Sequence, residues 1–240
     1  MKTGFVRTLW GIYDDTRRFY MRRAKMDNDI KLLLKNPYNE PWRTYVFGED
    51  NLKFLTDLGV KDCVLVDKRP YVWDMDTQQF RHKLEAFRYG MEDFDQMVFL
   101  DWDCQPEKPL PKDFWEVLGK KDSLQAIIRS YRRMKATWRK IDMRKVPCAS
   151  FVYIREKQVA YDLIKKWEEM GCPMSEETPM AKYMDDKMGG WKGLDEYWKR
   201  HEPDFFVLDE GIVYPQELLA TKNRCFGHLN HRAVSKRLGE

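Results

Sequence analysis

The chain has 240 residues, 43% of them apolar and 14% aromatic, which is enough to bury a core and excludes a disordered polymer. With 34% charged residues, a mean hydropathy of −0.71 and no run near the roughly 18 apolar residues that cross a bilayer, a membrane-embedded protein is excluded as well. A net charge of +4, from 43 basic and 39 acidic residues, is too even to indicate a nucleic-acid partner by itself. The opening MKTGFVRTLWGIYDDTRRFYMRR lacks the uninterrupted apolar region of a secretory signal, so a cytoplasmic protein is expected. Cys63, Cys104, Cys148, Cys172 and Cys225 are odd in number and show no zinc spacing, which points to reduced thiols.

In chain order, TGFVRTLW reads as a first strand. DNDIKLLLKN reads as a short helix capped by Asp27 or Asn28 and stopped by Asn36-Pro37. RTYVFG is a second strand, EDNLKFLTDLG a helix closed by Gly59 in the C′ position, and DCVLVD a third strand. TQQFRHKLEAFRYGM places Phe80, Leu84, Phe87 and Met91 at helical spacing behind Thr77 as N-cap, and QMVFLD follows as a fourth strand. Helices alternating with nearly continuous apolar strands predict an α/β protein with a mainly parallel sheet flanked by helices, whose ligands bind beyond the carboxyl ends of the strands.

The second half is less regular. SLQAIIRSY and ASFVYI read as strands, and EKQVAYDLIKKWEEM as an amphipathic helix with Leu163, Ile164 and Trp167 on its apolar face. SEETPMAKYMDDKMGG reads as a short capped helix, DFFVLDEGIVYP as two short strands, and KNRCFGHLNHRAVSKRLGE as irregular. With no internal repeat and no flexible linker, one domain is expected over 1–240, with a regular half at 1–103 and a less regular half at 104–240.

The fourth strand runs straight into Asp101-Trp102-Asp103. Two carboxylates one residue apart at the carboxyl edge of a sheet suit Mn²⁺ or Mg²⁺, which accept one or two protein carboxylates when phosphates supply the remaining oxygens. Alone, such a pair caps a turn as readily as it binds an ion. The apolar strand before it and the preceding helix, with Arg81, His82, Lys83 and Arg88 read as a basic face, favour the site reading.

KLEAFRYGMEDFDQMVFLDWDCQPEKPLP resembles the core of GT-A fold glycosyltransferases, Rossmann-like enzymes in which a helix and an apolar strand deliver a DxD motif. PCASFVYIREKQVAYDLIKKWEE is similar to the strand and helix that follow DxD in that fold, and CFGHLNHR resembles the His-containing segment that closes on the metal in several of its families. The resemblance extends from Thr3 to His231 on short motifs. It implies a mixed, mainly parallel GT-A sheet and a nucleotide-sugar donor whose diphosphate is bridged by Mn²⁺ or Mg²⁺ to Asp101 and Asp103, Asp103 being the direct ligand. His228 or His231 becomes the third protein ligand. Arg7, Thr8 and Trp10 would lie beside the nucleoside, Asp67 beside the base or ribose, and Lys83 in the donor site. For Trp10, packing competes with stacking, and Trp102 can simply anchor the turn.

The resemblance makes 1–103 the donor half and 104–240 the acceptor half, and an inverting enzyme of this kind needs a carboxylate base, for which the acceptor half offers Glu176, Glu177, Asp185 and Asp186. For each, helix capping or plain surface charge competes with that role. Gly189 to Trp191 reads as a loop with an aromatic platform, and Lys222 and Arg224 as further cations for the leaving diphosphate.

Arg129 to Lys145 carries eight Lys or Arg against one Asp. The run by itself reads first as a solvated surface. Beside the resemblance, it also suits a double-stranded DNA acceptor held through Arg129, Arg132, Arg133, Lys135, Arg139 and Lys140, as in the phage enzymes that glycosylate hydroxymethylated cytosine. That version expects a bacterial or phage-infected host. The alternatives are a carbohydrate or protein acceptor, a metal-dependent nucleotidyltransferase, for which TLWGIYDD has too few glycines, and a basic nucleic-acid-binding protein, which no zinc, RRM or KH signature supports.

Overall fold

A computed structural model describes residues 1–11, 23–35, 40–68, 80–106, 109–110, 112–120, 122–130, 145–171, 176–188, 226–228 and 238–239. The described strands are β1 (Thr3–Trp10), β2 (Trp42–Phe47), β3 (Cys63–Asp67), β4 (Gln96–Leu100), β5 (Cys104–Pro106), β6 (Leu124–Ser130), β7 (Lys145–Ile154) and β8 (Phe226–His228). The helices are α1 (Arg23–Lys35), α2 (Glu49–Asp57), α3 (Arg81–Asp93), α4 (Phe114–Gly119), α5 (Lys157–Glu169) and α6 (Glu177–Met188).

Six strands form one sheet in the order β3-β2-β1-β4-β7-β6. The pairs β3–β2, β2–β1 and β1–β4 are parallel, while β4–β7 and β7–β6 are antiparallel. This is the mixed, mainly parallel α/β sheet expected, and the β4–β7 pairing runs it without a break from the first half into the second. β1 is buried along nearly its whole length because both its faces are covered. Phe5, Arg7 and Leu9 alternate with Val6, Thr8 and Trp10. Leu9 packs with Met26, Ile30 and Leu33 of α1, Phe54 and Leu55 of α2, and Trp102. The other face meets α3, whose Gly90 lets the helix approach so closely that an added Cβ would stand 2.8 Å from Val6 Cγ2. α5 packs on α3, and α6 on α5 and β7.

The end of α2 follows its local signal. Gly59 lies at φ 88°, with its N–H on the Thr56 carbonyl and the Val60 N–H on that of Leu55, which is the helix-closing arrangement expected for α2. α1 begins at Arg23, ahead of the cap expected at Asp27 or Asn28. α3 begins at Arg81, and Thr77 lies outside the described residues. The tail read as irregular contains β8, and both β5 and α4 were unanticipated. β5 and β8 are three residues each, too short to carry a periodic signal, and among the described residues they pair with one another alone. The two strands expected within DFFVLDEGIVYP lie outside the described residues.

Candidate active site

The chain builds β1, β2 and β3 in one direction across the sheet and then returns to place β4 on the other side of β1. The carboxyl edge between β1 and β4 is therefore the topological switch point, where open α/β sheets hold ligands. Asp101, Trp102 and Asp103 follow β4 at that edge.

They form a tight turn in which the Cys104 N–H donates to the Asp101 carbonyl at 2.9 Å. The turn is tied down from several sides. The Asp101 N–H donates to the Ser150 carbonyl of β7 at 3.0 Å. Trp102 is buried and its indole N–H donates to the Thr8 carbonyl at 2.8 Å, so this ring anchors the turn. Arg7 reaches up from β1 and donates to the carbonyls of Asp101 at 2.6 Å and Cys104 at 3.0 Å. With its backbone fixed in this way, the turn carries the Asp101 and Asp103 carboxylates, both half-buried.

Lys83 approaches the turn from α3. Its ammonium is 2.9 Å from Oδ1 of Asp101 and 2.7 Å from Oε1 of Glu176, the residue just before α6. The Lys83 and Glu176 side chains are 8% and 6% exposed, against 29% for Asp101, so the carboxylate facing solvent belongs to the turn. Burial disfavours the Lys83 charge, but Asp101 and Glu176 together outweigh it and hold the ammonium well above the ordinary lysine range. For Arg7 burial wins, bringing it down to about 10 against the opposing pull of Cys104, Asp101, Asp103 and Asp29.

Arg7, Thr8 and Trp10, expected beside a nucleoside, are 1%, 3% and 3% exposed and turned into the protein. The Thr8 hydroxyl donates to the Tyr45 carbonyl, and the Trp10 ring stacks on His82 at 5.4 Å. Asp67 ends β3 at the same carboxyl edge, on the far side of β2. The basic face read on α3 divides in two. Arg81 and Arg88 flank Glu85 on one side of the helix, while His82 and Lys83 are buried.

Glu177 accepts the Ala149 N–H at 3.2 Å, just where β7 bulges between the partners of Ala126 and Ile127. Its carboxylate therefore caps a strand irregularity. Asp186 is exposed and bonded to Lys166 and Lys182, and the hydrogen bond from Lys166 leads in holding its carboxyl below the usual range. It lies nine residues into α6, about 13 Å of helix rise from the Glu177 end. Of Asp185 and Arg129 only the backbone is described. The same holds for His228, whose backbone pairs opposite Cys104 and so brings the C-terminal segment beside the turn. His231, Arg132, Arg133, Lys135, Arg139, Lys140, Gly189 to Trp191, Lys222 and Arg224 lie outside the described residues.

Sequence reasoning settled on Glu177, with Asp185 and Asp186, and left Glu176 aside, although nothing in SEET separates the two glutamates. It also had no signal for Arg7 as a clamp, because both of its partners are carbonyl groups and leave no trace in side-chain identity.

Among the described residues no group of three or more His, Cys, Asp or Glu gathers to hold a metal unaided. Two oxygen donors from Asp101 and Asp103 nevertheless fit a hard divalent ion that takes its remaining ligands from water and phosphate. No described helix is long and apolar enough to cross a membrane.

No protein-family model and no curated protein matches the sequence. Among solved structures, the chain is similar to the apo form of the glycosyltransferase GlyE of Streptococcus pneumoniae TIGR4, at 15% identity over 78% of this chain and 44% of that one, with a TM-score of 0.43. It is also similar to mouse xyloside xylosyltransferase 1, at 9% identity over 75% of this chain and 81% of that one, with a TM-score of 0.45. The apo structure of the bifunctional WbbM gives 12% identity over 70% and 34%, with a TM-score of 0.39. The chain thus spans less than half the length of GlyE and of WbbM.

Proposed function

We propose that this chain is a GT-A-type glycosyltransferase that moves a sugar from a nucleotide-sugar donor to an acceptor hydroxyl, using Mn²⁺ or Mg²⁺ held by Asp101 and Asp103. The observation that carries the reading is the acidic turn at the switch point, with Lys83 joining Asp101 to Glu176. In the transfer, the bond from the anomeric carbon to the diphosphate oxygen breaks and its electron pair leaves with the diphosphate. A bond to the acceptor oxygen forms, and the hydroxyl proton passes to a carboxylate base of the acceptor half. A divalent ion, when bound, supplies charge neutralisation to the leaving diphosphate.

The chain's own residues do the rest. Asp103, with Asp101, holds the ion. Lys83 adds a fixed positive charge in a water-poor position, where such a charge acts strongly on a developing anion. Of the acceptor-half carboxylates, Glu176 is the one at this cluster. Glu177 is engaged with Ala149, and Asp186 lies far along α6. His228 is the candidate third ligand, supported by the pairing of β8 with β5.

The acceptor reading is duplex DNA carrying 5-hydroxymethylcytosine, supported by the eight basic residues between Arg129 and Lys145. A carbohydrate or protein hydroxyl is the alternative. The test is thermal melting with nucleoside diphosphates and nucleotide sugars, each with and without Mn²⁺, because a ligand that binds only the native state raises the melting temperature. A metal-dependent rise with one nucleotide, lost in Asp101→Asn and Asp103→Asn, supports the donor site and identifies the base. Transfer to hydroxymethylated but not unmodified duplex then decides the acceptor. No rise with any nucleotide, together with a rise on duplex DNA alone, sinks the enzyme in favour of a binding protein.

A further inference from the structure

Arg7 is an anomaly in the strand that holds it. Phe5 and Leu9, its neighbours on the same face of β1, are fully buried apolar residues, and Arg7 is 1% exposed between them. Removing a guanidinium from water costs several kcal/mol unless its hydrogen bonds are replaced. The replacements are specific. One nitrogen donates to the Asp101 carbonyl and the other to the Cys104 carbonyl, so the fork spans both ends of the turn that carries Asp101 and Asp103. Trp42 and Trp102 lie 4.8 and 5.0 Å from the guanidinium carbon and confine it. Trp102 is itself the residue between the two aspartates, and its N–H is held by Thr8, next to Arg7 on β1. Cys104 begins β5, whose pairing sets the register of β8 and hence the place of the His228 backbone.

We infer that Arg7 is a positioning residue, which fixes the backbone of the Asp101–Cys104 turn so that both carboxylates are set for a divalent ion before it arrives. The inference rests on the reading of Asp101 and Asp103 as the metal-binding pair. It assigns the guanidinium a geometric task that charge alone cannot perform. Lysine in its place keeps the charge, but its donors radiate from one nitrogen and do not reproduce the planar fork that spans the two carbonyls.

The experiment uses Arg7→Lys and Arg7→Gln in the full chain. Mn²⁺ alone is titrated calorimetrically, amide hydrogen exchange is followed at Asp101 and Cys104, and far-UV dichroism checks the fold. Loss of a group that orients metal ligands typically weakens the metal 10- to 100-fold. Both variants are therefore expected to raise the Mn²⁺ dissociation constant by about 10-fold or more and to speed exchange at Cys104, with a native dichroism spectrum.

A guanidinium acting only as a charge predicts the reverse pattern. Arg7→Lys would bind as wild type, Arg7→Gln would bind more tightly because a repelling cation is gone, and that result overturns the inference. If the wild type binds no Mn²⁺, the metal reading fails by itself. The positioning role is then decided by exchange alone, with unchanged protection in both variants overturning it. Failure of both variants to fold also overturns it, since Arg7 would then serve the core and not the turn.

Discussion

The Lys83 ammonium lies 2.9 Å from Asp101 and 2.7 Å from Glu176, so one buried cation joins the turn after β4 to the start of α6. Lys83→Met leaves two carboxylates facing each other without their shared counter-charge. Removing one partner of a buried pair costs about 3–5 kcal/mol, and the expected result is a urea midpoint lowered accordingly. Lys83→Arg keeps the charge on a bulkier head and should recover part of that loss. A midpoint unchanged in Lys83→Met would show that the cluster is solvated in solution.

Adjacent glutamates are expected to behave differently. Glu177→Gln keeps an oxygen for the Ala149 N–H, so stability and turnover should both stay near wild type. Glu177→Ala leaves that buried N–H without its carboxylate and should cost about 1–3 kcal/mol in chemical denaturation. Glu176→Gln takes a negative charge from Lys83 and is expected to lower kcat at least 10-fold with KM for the donor little changed. Steady-state kinetics with the donor found by melting separates the two residues.

Asp186 is bonded to two lysines on an exposed face. Pairs of this kind contribute about 0–1 kcal/mol and are screened by salt. Asp186→Asn should therefore leave kcat within about two-fold and shift the melting temperature slightly, a shift that vanishes in 1 M salt. A loss of turnover comparable to that in Asp103→Asn would return Asp186 to the active site.

Gly90→Ala tests the contact between α3 and the sheet. Alanine improves helix propensity by about 1 kcal/mol, but its Cβ would meet Met97 Sδ at 2.6 Å and Val6 Cγ2 at 2.8 Å. Overpacking costs about 1–3 kcal/mol, and Val6, a stiff β-branched residue in the central strand, has little room to yield. A net destabilisation is expected, read as a lower melting temperature. A rise would mean that the helix can stand off from the sheet at no cost.

Burial, aided by Asp62, pushes the Cys63 thiol up to about 11. Since the folded chain holds this proton more tightly than the unfolded chain, the group's contribution to stability is complete below the unfolded value. It is lost as pH rises from about 8.5 towards 11. The thiolate of half-buried Cys63 is therefore scarce near neutral pH, and its alkylation should run clearly slower than that of an exposed thiol. Peptide mass mapping over time gives the rate, and rapid alkylation in the folded protein would contradict the burial.

The chain by itself determined what depends on neighbours in sequence. Apolar runs marked β1, β2, β3 and β4, helical spacing marked α3 and α5, and Gly59 marked the end of α2. These signals are local because backbone hydrogen bonds in helices and the alternation of side chains in strands repeat within a few residues. The acidic turn was legible for the same reason, since Asp101 and Asp103 are two residues apart.

Only the tertiary structure decided what those carboxylates face. Arg7 and Lys83 arrive at the turn from β1 and α3, and Glu176 from a segment more than seventy residues further on. The reversal of β7 against β4, the division between Glu176 and Glu177, and the pairing of β8 with β5 are likewise choices of packing. A buried charge is tolerated only where its partners converge, and that convergence is a property of the folded chain that no local pattern in the sequence carries.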